Sequence, residues 1–509
     1  MDKTMCISAD KRLQEFLESV PEDHSHRRMV QEVKCGFGLD GVCCRLCSNG
    51  PCRISKARPK GVCGADRDTI AARNFLRSVA AGSGCYIHVM EQAAKELKSA
   101  ALAGRKLKGV DALHRLCDEL GIGEADDSQM ALRLSEAVLE DLRRPYEEPM
   151  HLTEKLAYAK RTGVWKNAGL LPGGAKDEIF NAIVKTSTNL NSDPMDMLTQ
   201  CLRLGISTGI YGLVLVNRLN DILMGEPELG FDPVGMRVID PECINIMVTG
   251  HQHSMFGSLT GMMEHPEIKE MADRAGARGI RIVGCTCVGQ DFQARSRCYE
   301  KVFCGHAGNN YSSEAVLLTG CIDLVVSEFN CSLPGIEPIC EELSIPMLCL
   351  DDVAKKKGAR HLPYHPEDRE DVSVNVIAAA IASYVRRSRA GKRQNPMQDH
   401  GCNEAVTGVT ERTLKGALGG SFAPLIDLIA AGSIKGVAAV VGCSNLRAKG
   451  HDVFTVELVK KLIARDILVV SAGCTCGGLE NCGLMSRDAA GLAGPGLSQV
   501  CRSLGIPPV

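Results

Sequence analysis

Six of the chain's 25 cysteines fall between Cys35 and Cys63, in the stretch CGFGLDGVCCRLCSNGPCRISKARPKGVC. The spacing is C-x7-C-C-x2-C-x4-C-x10-C, and glycines at 36, 38, 41, 50 and 61 let the backbone turn the sulfurs inward without steric strain. Cys44, Cys47, Cys52 and Cys63 have the short-short-long spacing with which one loop wraps a [4Fe-4S] cube, and Cys35 and Cys43 are left over as a pair. Structural zinc on four cysteines uses similar C-x2-C spacing and competes with this reading. Disulfides are less favoured, because MDKTMCISADKRLQEFLESV has no apolar core or small-residue cleavage site that would send the chain to an oxidising compartment.

A second set of chemically capable residues stands at the ends of apolar runs. INIMVTG leads into His251, IRIVG into Cys285 and Cys287, DLVVSEFN into Cys331, VAAVVG into Cys443, and ILVVSAG into Cys474. In open α/β sheets ligands sit beyond the carboxyl ends of the strands, so five such ends from two facing sheets would converge on one site. Soft thiolates with one imidazole suit iron-sulfur and nickel chemistry better than magnesium or calcium. Each residue alone has a blander reading, a small buried cysteine or a core histidine. Five repetitions favour a shared site. Cys6, Cys117, Cys201, Cys243, Cys298, Cys304, Cys321, Cys340, Cys349, Cys402 and Cys501 keep the core reading, and Cys85, Cys476 and Cys482 are left open.

The elements that must position these residues follow from the texture of the chain. At 509 residues there is room for about three domains. The net charge of -2 lacks the basic footprint of a nucleic-acid binder. The runs VLLTGCIDLVV and VIAAAIASYV are too short to cross a bilayer, so a cytoplasmic protein without a membrane span is expected. Residues 5–34 read as an amphipathic helical arm. After Cys63, DTIAARNFLRSVAAG and HVMEQAAKELKSAALAG have helical spacing, with Asp68 or Ser83 available as caps, and Ser192-Asp193-Pro194 opens another helix. From about residue 240, short β-branched runs alternate with helical segments, the pattern of βαβ units on a parallel sheet. INIMVTG, IRIVGC, DLVVSEF, PMLCL, VAAVVG and ILVVSAG are the expected strands, and the basic run Arg386–Pro396 is expected to link two α/β domains. The expected division is 1–63 arm and cluster loop, 64–235 helical, 236–390 α/β, and 397–509 a second α/β domain.

The segment CGFGLDGVCCRLCSNGPCR with the later GVCGA resembles the anaerobic nickel-iron carbon monoxide dehydrogenases, with hybrid-cluster protein as a more distant relative. The resemblance covers nearly the whole chain and implies a multidomain α/β protein, helical first and then two Rossmann-like domains. It implies that Cys35 and Cys43 join their copies in a homodimer to hold one shared [4Fe-4S] cluster, while Cys44, Cys47, Cys52 and Cys63 hold a relay [4Fe-4S] cluster. By the same resemblance His251 in GHQHS, Cys287 in CTCVGQD, Cys331 in FNCSLP, Cys443 in VVGCSN and Cys474 in SAGC match ligands of a nickel-iron-sulfur active-site cluster. The implied reaction takes CO and water to CO2, passing two electrons to a ferredoxin-like acceptor. Lys56, Arg58 and Lys60 could help dock that acceptor, a solvated loop being the plainer reading.

Departures from the family pattern accompany the match. Its members continue past GIPPV to a GSC motif with a sixth ligand and to a lysine, and GIPPV stands where the next parallel strand is expected, so the last domain is expected to be incomplete. The histidine row of the family's first long helix is replaced here by Tyr86, Val89, Gln92 and Lys95, with His88 about 100° off that face. Two other functions therefore stand beside the dehydrogenase. One is an iron-sulfur-oxygen hybrid cluster reducing hydroxylamine, and the other is a non-catalytic electron-transfer or redox-sensing protein. Nickel separates the first reading from these, and hydroxylamine turnover separates the two alternatives.

Overall fold

The computed structural model describes residues 7–31, 35–123, 126–187, 190–391 and 394–509. The chain divides into two compact units, Glu32–Gly225 on the one hand and Met1–Gln31 with Glu226–Val509 on the other. The N-terminal arm is two helices, α1 (Lys11–Ser19) and α2 (Ser25–Gln31). Asp10 caps α1 by accepting from the Leu13 N–H at 3.0 Å, and Leu13, Phe16 and Leu17 pack into the apolar core of the second unit. Cys6 and the ends of the arm as read from sequence, residues 5–6 and 32–34, lie outside the described residues.

In the 32–225 unit, two short antiparallel strands, β1 (Cys43–Cys44) and β2 (Cys52–Arg53), set Cys44 opposite Cys52. Behind them runs α3 (Arg67–Leu102), a helix of 36 residues capped by Asp66. Sequence spacing suggests two helices here, but there is one. Gly82 and Gly84 cost about 1 kcal/mol each in a helix interior, and burial of Leu76, Ala80, Ile87, Met90 and Leu97 along one face offsets this. Ser83 is no cap; it lies buried in mid-helix and accepts from the Thr208 hydroxyl at 2.8 Å. α4 (Pro194–Met224) begins as expected, with Pro194 in the first turn and the Asp193 carboxylate accepting from the Met195 and Asp196 N–H groups, and it contains a π-helical segment at Thr208–Leu215. By length and composition alone α4 could cross a membrane, which corrects the expectation that no run qualifies. Polar residues such as Arg203 and Asn217 interrupt its apolar run in the sequence, while Met197, Leu204, Tyr211, Leu215 and Leu219 line its buried side.

The other unit is built on a parallel sheet of six strands: β4 (Ile244–Thr249), β5 (Ile280–Cys285), β6 (Phe303–Gly308), β7 (Leu324–Ser327), β8 (Met347–Cys349) and β9 (Arg360–His361). A short strand β3 (Gly230–Asp232) precedes them and pairs antiparallel with β10 (Ala405–Thr407). Helix α6 (Thr286–Ala294) packs against β4, β5 and β6, α7 (Arg369–Arg389) against β4 and β7, and α5 (His253–Met263) against α6 and α7. The spatial order is β6-β5-β4-β7-β8-β9, so the sheet grows outward in two directions from β4, the doubly wound pattern. Every residue of β4 and β7 is buried, which is why their sequences are continuous apolar runs and not alternating ones. β6, FCGHAG, was not expected from sequence: two glycines, a histidine and no β-branched residue give no strand signal.

Residues 386–389 are not linker but the last turn of α7, where basic side chains suit the negative end of the helix dipole. Arg387 is buried and bonds Asp323 at 2.8 and 3.1 Å. Beyond lie β11 (Gly436–Val441), α8 (Val453–Ile463), β12 (Ile467–Ala472), α9 (Cys474–Asn481) and α10 (Pro495–Leu504), with β11 and β12 parallel. The Val469 N–H donates to the Pro508 carbonyl at 3.0 Å, so the residues after α10 run beside β12, where a further strand was expected. The chain is thus a multidomain α/β protein with a helical portion and two parallel sheets.

Candidate functional site

The order of the six-stranded sheet reverses between β4 and β7, and a crevice opens at the carboxyl ends of strands on either side of such a reversal. His251 follows β4, Cys331 follows β7, and Cys287 lies in the first turn of α6, directly after β5. Their ligand atoms all lie within 4.8 Å of one another, with Cys331 Sγ 3.9 Å from His251 Nδ1.

The backbone around them is strained and pinned. Thr286, Asn330 and Cys331 have φ of 57°, 63° and 56°, in the left-handed region, where each non-glycine residue costs about 1–3 kcal/mol. The Thr286 hydroxyl accepts from the Gly250 N–H at 2.9 Å, the Cys331 N–H donates to Asn330 Oδ1 at 2.9 Å, and Ser332 Oγ donates to the Thr249 carbonyl at 3.3 Å. Gly250, at φ +142°, admits no side chain, because a Cβ would overlap the carboxyl of Glu328. That carboxyl accepts from the Gln252 N–H at 2.7 Å and so fixes the turn carrying His251.

Cys474, buried, opens α9 just past β12, and the Asn310 N–H points at its Sγ from 3.4 Å. The Cys287 thiol is hydrogen-bonded to both Cys331 and Cys474; these bonds, then burial, push it well above the usual thiol range. The same Cys287 bond, and after it His251, pull the Cys331 thiol down against the effect of burial. Cys443, two residues beyond β11, is the exposed member; burial of its sulfur and the neighbouring Cys474 and Cys331 raise it. The structure therefore brings all five strand-end residues into one neighbourhood, as a soft set of four sulfurs and one imidazole. This donor set fits an iron-sulfur cluster that also holds a borderline metal.

Cys285 is not part of it: the side chain is fully buried in the sheet's core and burial raises the thiol. Cys476 and Cys482 are likewise raised by burial, with Cys476 Sγ 3.5 Å from Met485 Sδ. Several supporting residues were missed from sequence. Glu328, three positions before Cys331, is fully buried and its carboxyl is raised well above the usual range by burial. His306 on β6 and Glu480 on α9, both fully buried, are hydrogen-bonded through His306 Nδ1 and Glu480 Oε1, and His306 Nε2 lies 3.3 Å from the Thr286 carbonyl. This pair ties the helix that starts at Cys474 to the turn that carries Cys287. An acid within the strand-end motif SEFNC was the only sequence signal for any of them.

In the other unit, Cys44, Cys47, Cys52 and Cys63 line one pocket of about 210 Å³, together with Gly61, Ile70 and Arg73. Cys35 and Cys43 are not among the lining residues. A Cβ on Gly61 would stand 3.3 Å from Cys52 Sγ, so the loop passes close against that sulfur. Cys35 is exposed at the start of a short helical turn, Gly36–Leu39. The Ala65 N–H, donating to Cys63, lowers that exposed thiol.

Residues 42–509 match the model of the Prismane/CO dehydrogenase family. The chain is 42% identical over 511 residues to a carbon monoxide dehydrogenase of Methanocaldococcus jannaschii, covering 99% of this chain and 81% of that one. It is 43% identical to the corresponding protein of Methanopyrus kandleri, covering 100% and 80%. Among solved structures, a nickel-free, as-isolated carbon monoxide dehydrogenase of Thermococcus sp. AM4 superposes with a TM-score of 0.90 at 31% identity, over 99% of this chain and 79% of the other. Carbon monoxide dehydrogenase IV of Carboxydothermus hydrogenoformans gives 0.91 at 30%, over 99% and 82%.

Proposed function

Because the chain belongs to the Prismane/CO dehydrogenase family, we propose that it is an anaerobic carbon monoxide dehydrogenase, converting CO and H2O to CO2, two protons and two electrons. The observation that carries the proposal is the meeting of His251, Cys287 and Cys331 at the reversal point of the sheet, with Cys474 and Cys443 beside them. These five residues would hold a nickel-iron-sulfur cluster, which when bound activates CO and water and takes up the electrons. The protein's part is to fix the ligands: Glu328 and Thr286 brace the turns of His251 and Cys287, and the His306–Glu480 pair braces Cys474 against them.

Electrons would leave through a [4Fe-4S] cluster held by Cys44, Cys47, Cys52 and Cys63, towards a ferredoxin-like acceptor. Cys35 and Cys43, standing outside that pocket, would complete a second [4Fe-4S] cluster with the same pair from a second copy, since a two-fold axis turns two thiols into four. Leu39, 64% exposed, follows Cys35 in the same turn, and Phe75, 55% exposed, adjoins Asn74, whose amide holds the Cys43 carbonyl; apolar surface so placed supports a homodimer seam. A reducing, cytoplasmic setting follows from a chemistry that needs free thiolates. The chain would comprise a helical portion followed by two Rossmann-like domains, 236–390 and 397–509.

Metal analysis and a dye assay test it. The expected result is nickel together with iron and sulfide, and CO-dependent reduction of methyl viologen. Iron without nickel, with hydroxylamine reduced and CO untouched, would overturn it in favour of a hybrid-cluster enzyme.

A further inference from the structure

Where the N-terminal arm crosses its unit, three histidines are buried together away from the five strand-end residues. The arm pairs with His451 through its backbone: the His451 N–H donates to the Ile7 carbonyl at 2.7 Å and the Ala9 N–H donates to the His451 carbonyl at 2.9 Å. The ring of His26 stands edge-on to that of His451 with centroids 4.8 Å apart, and His24 lies 6.1 Å beyond His26. All three side chains are at most 4% exposed.

Their nitrogens are used differently. His24 has both committed, Nε2 at 3.1 Å from the Leu17 carbonyl and Nδ1 accepting from the Arg27 N–H at 3.2 Å. His26 Nε2 and His451 Nδ1, by contrast, have no hydrogen-bond partner among the described residues, and neither has Asp452 Oδ1. A buried polar atom left unpaired costs about 1–3 kcal/mol, so such atoms call for ordered water. The inner nitrogen, His451 Nε2, is 3.0 Å from Asn309 Oδ1 and 3.2 Å from Asp452 Oδ2. The orientation of Asn309 is fixed, because its Nδ2 donates to Ser444 Oγ at 2.9 Å, to Asp452 Oδ2 at 2.8 Å and to the Cys474 carbonyl at 3.3 Å. His451 Nε2 therefore carries a hydrogen, donated towards Asn309 Oδ1 and Asp452 Oδ2. The line that begins at the arm ends beside Cys443 and Cys474.

We propose that His26 and His451 form a water-linked proton relay between solvent at the N-terminal arm and the Cys443–Cys474 edge of the strand-end site. The relay rests on the reaction proposed above, which must export two protons for each CO consumed. A proton taken up at one nitrogen of His451 and released from the other crosses the ring with only N–H bonds made and broken, and Asp452 receives or supplies it on the inner side. Burial, then His451 and His24, hold His26 well below the usual imidazole range, so it stays neutral and able to accept. The charged or titratable groups facing this pair are His24, Tyr311, Asp452 and Asp10, with Asp23, Arg27 and Glu314 around His24. Asp23 and Arg28, paired at 2.7 Å in solvent, mark the outer end.

The test uses the metal-loaded enzyme with His26→Ala and with His451→Gln, the latter keeping a donor for Asn309. Both variants should retain parental nickel, iron, cluster spectra and KM for CO, while kcat falls by about tenfold or more. Added imidazole should restore His26→Ala several-fold. A kcat within about twofold of the parent in both variants, or a loss that comes with lost metal and no imidazole response, overturns the relay. A parent that does not oxidise CO defeats the reading of function instead; the relay is then decided by a high-resolution crystal structure of the loaded parent. Ordered water on His26 Nε2 and His451 Nδ1 supports it, and a dry gap rejects it.

Discussion

The two thiol-rich regions are built in opposite ways. Between Cys35 and Cys63 the sulfurs are near neighbours in sequence, sit half-buried or exposed, and are held by two-residue strands and tight turns. The strand-end residues are spread from His251 to Cys474, and three of the five, His251, Cys287 and Cys331, are brought in by chain reversals anchored in buried sheet. A loop of the first kind gains much of its order from the metal it binds, because few other contacts offset the entropy of ordering it. A crevice of the second kind is preorganised by the core, which also bears the strain at Thr286, Asn330 and Cys331.

The largest expected effect comes from removing a ligand at the preorganised site. Cys474→Ser should lower CO-dependent dye reduction by more than about a hundredfold and remove the active-site cluster signal in electron paramagnetic resonance, while the Cys44–Cys63 cluster signal persists. If both signals survive, the five residues do not share a cluster. Next in size is the double substitution Cys35→Ser with Cys43→Ser. It should remove a bridging cluster and weaken the dimer on size exclusion, leaving the pocket of Cys44, Cys47, Cys52 and Cys63 loaded. Unchanged iron and an unchanged dimer would show that the leftover pair has no cluster of its own.

This contrast also explains what could be seen in the sequence. The grouping of four cysteines with a spare pair could be read from spacing, because a loop's reach is set by residue count. Convergence of the strand ends could be read only through topology: β4, β5, β7, β11 and β12 announce themselves as β-branched runs, and one of the five thiol or imidazole residues follows each run. What escaped depended on tertiary context. β6 has no β-branched residue and two glycines, yet its place beside β5 puts His306 against Glu480. The break expected at Ser83 is overridden by burial along α3, and the supposed linker at Arg387 is a helix end drawn in by Asp323. Gly250 looks like any turn glycine until Glu328 is seen to occupy the space of its side chain.

Two glycines give a milder test of the same contrast. Gly250→Ala meets both a φ of +142° and the Glu328 carboxyl, and should cost about 3 kcal/mol or more in denaturant unfolding. Gly61→Ala meets Cys52 Cβ and Sγ, both at 3.3 Å, in a loop that can give way, and should cost about 1 kcal/mol or less. Equal costs would mean that the strand-end turns are no more preorganised than the loop.

The smallest effect is read as the rate of thiol alkylation in the metal-free chain. Cys63 is exposed, and the Ala65 N–H favours its thiolate, so its titration lies below that of an ordinary cysteine. As pH rises towards neutrality, Cys63 gains thiolate before a free cysteine does, and iodoacetamide should modify it a few-fold faster at pH 7 than it modifies a small cysteine peptide. Cys340, pushed up to about 12 by burial, should stay unmodified throughout, as should Cys285, which burial also raises. Within the strand-end site the Cys287 bond lowers Cys331 and raises Cys287, so mass mapping should find Cys331 labelled before Cys287 despite their proximity. Labelling of Cys287 first, or at the same rate, would mean that the hydrogen bond does not hold without metal. The crevice would then resemble the loop in needing its cluster to become ordered.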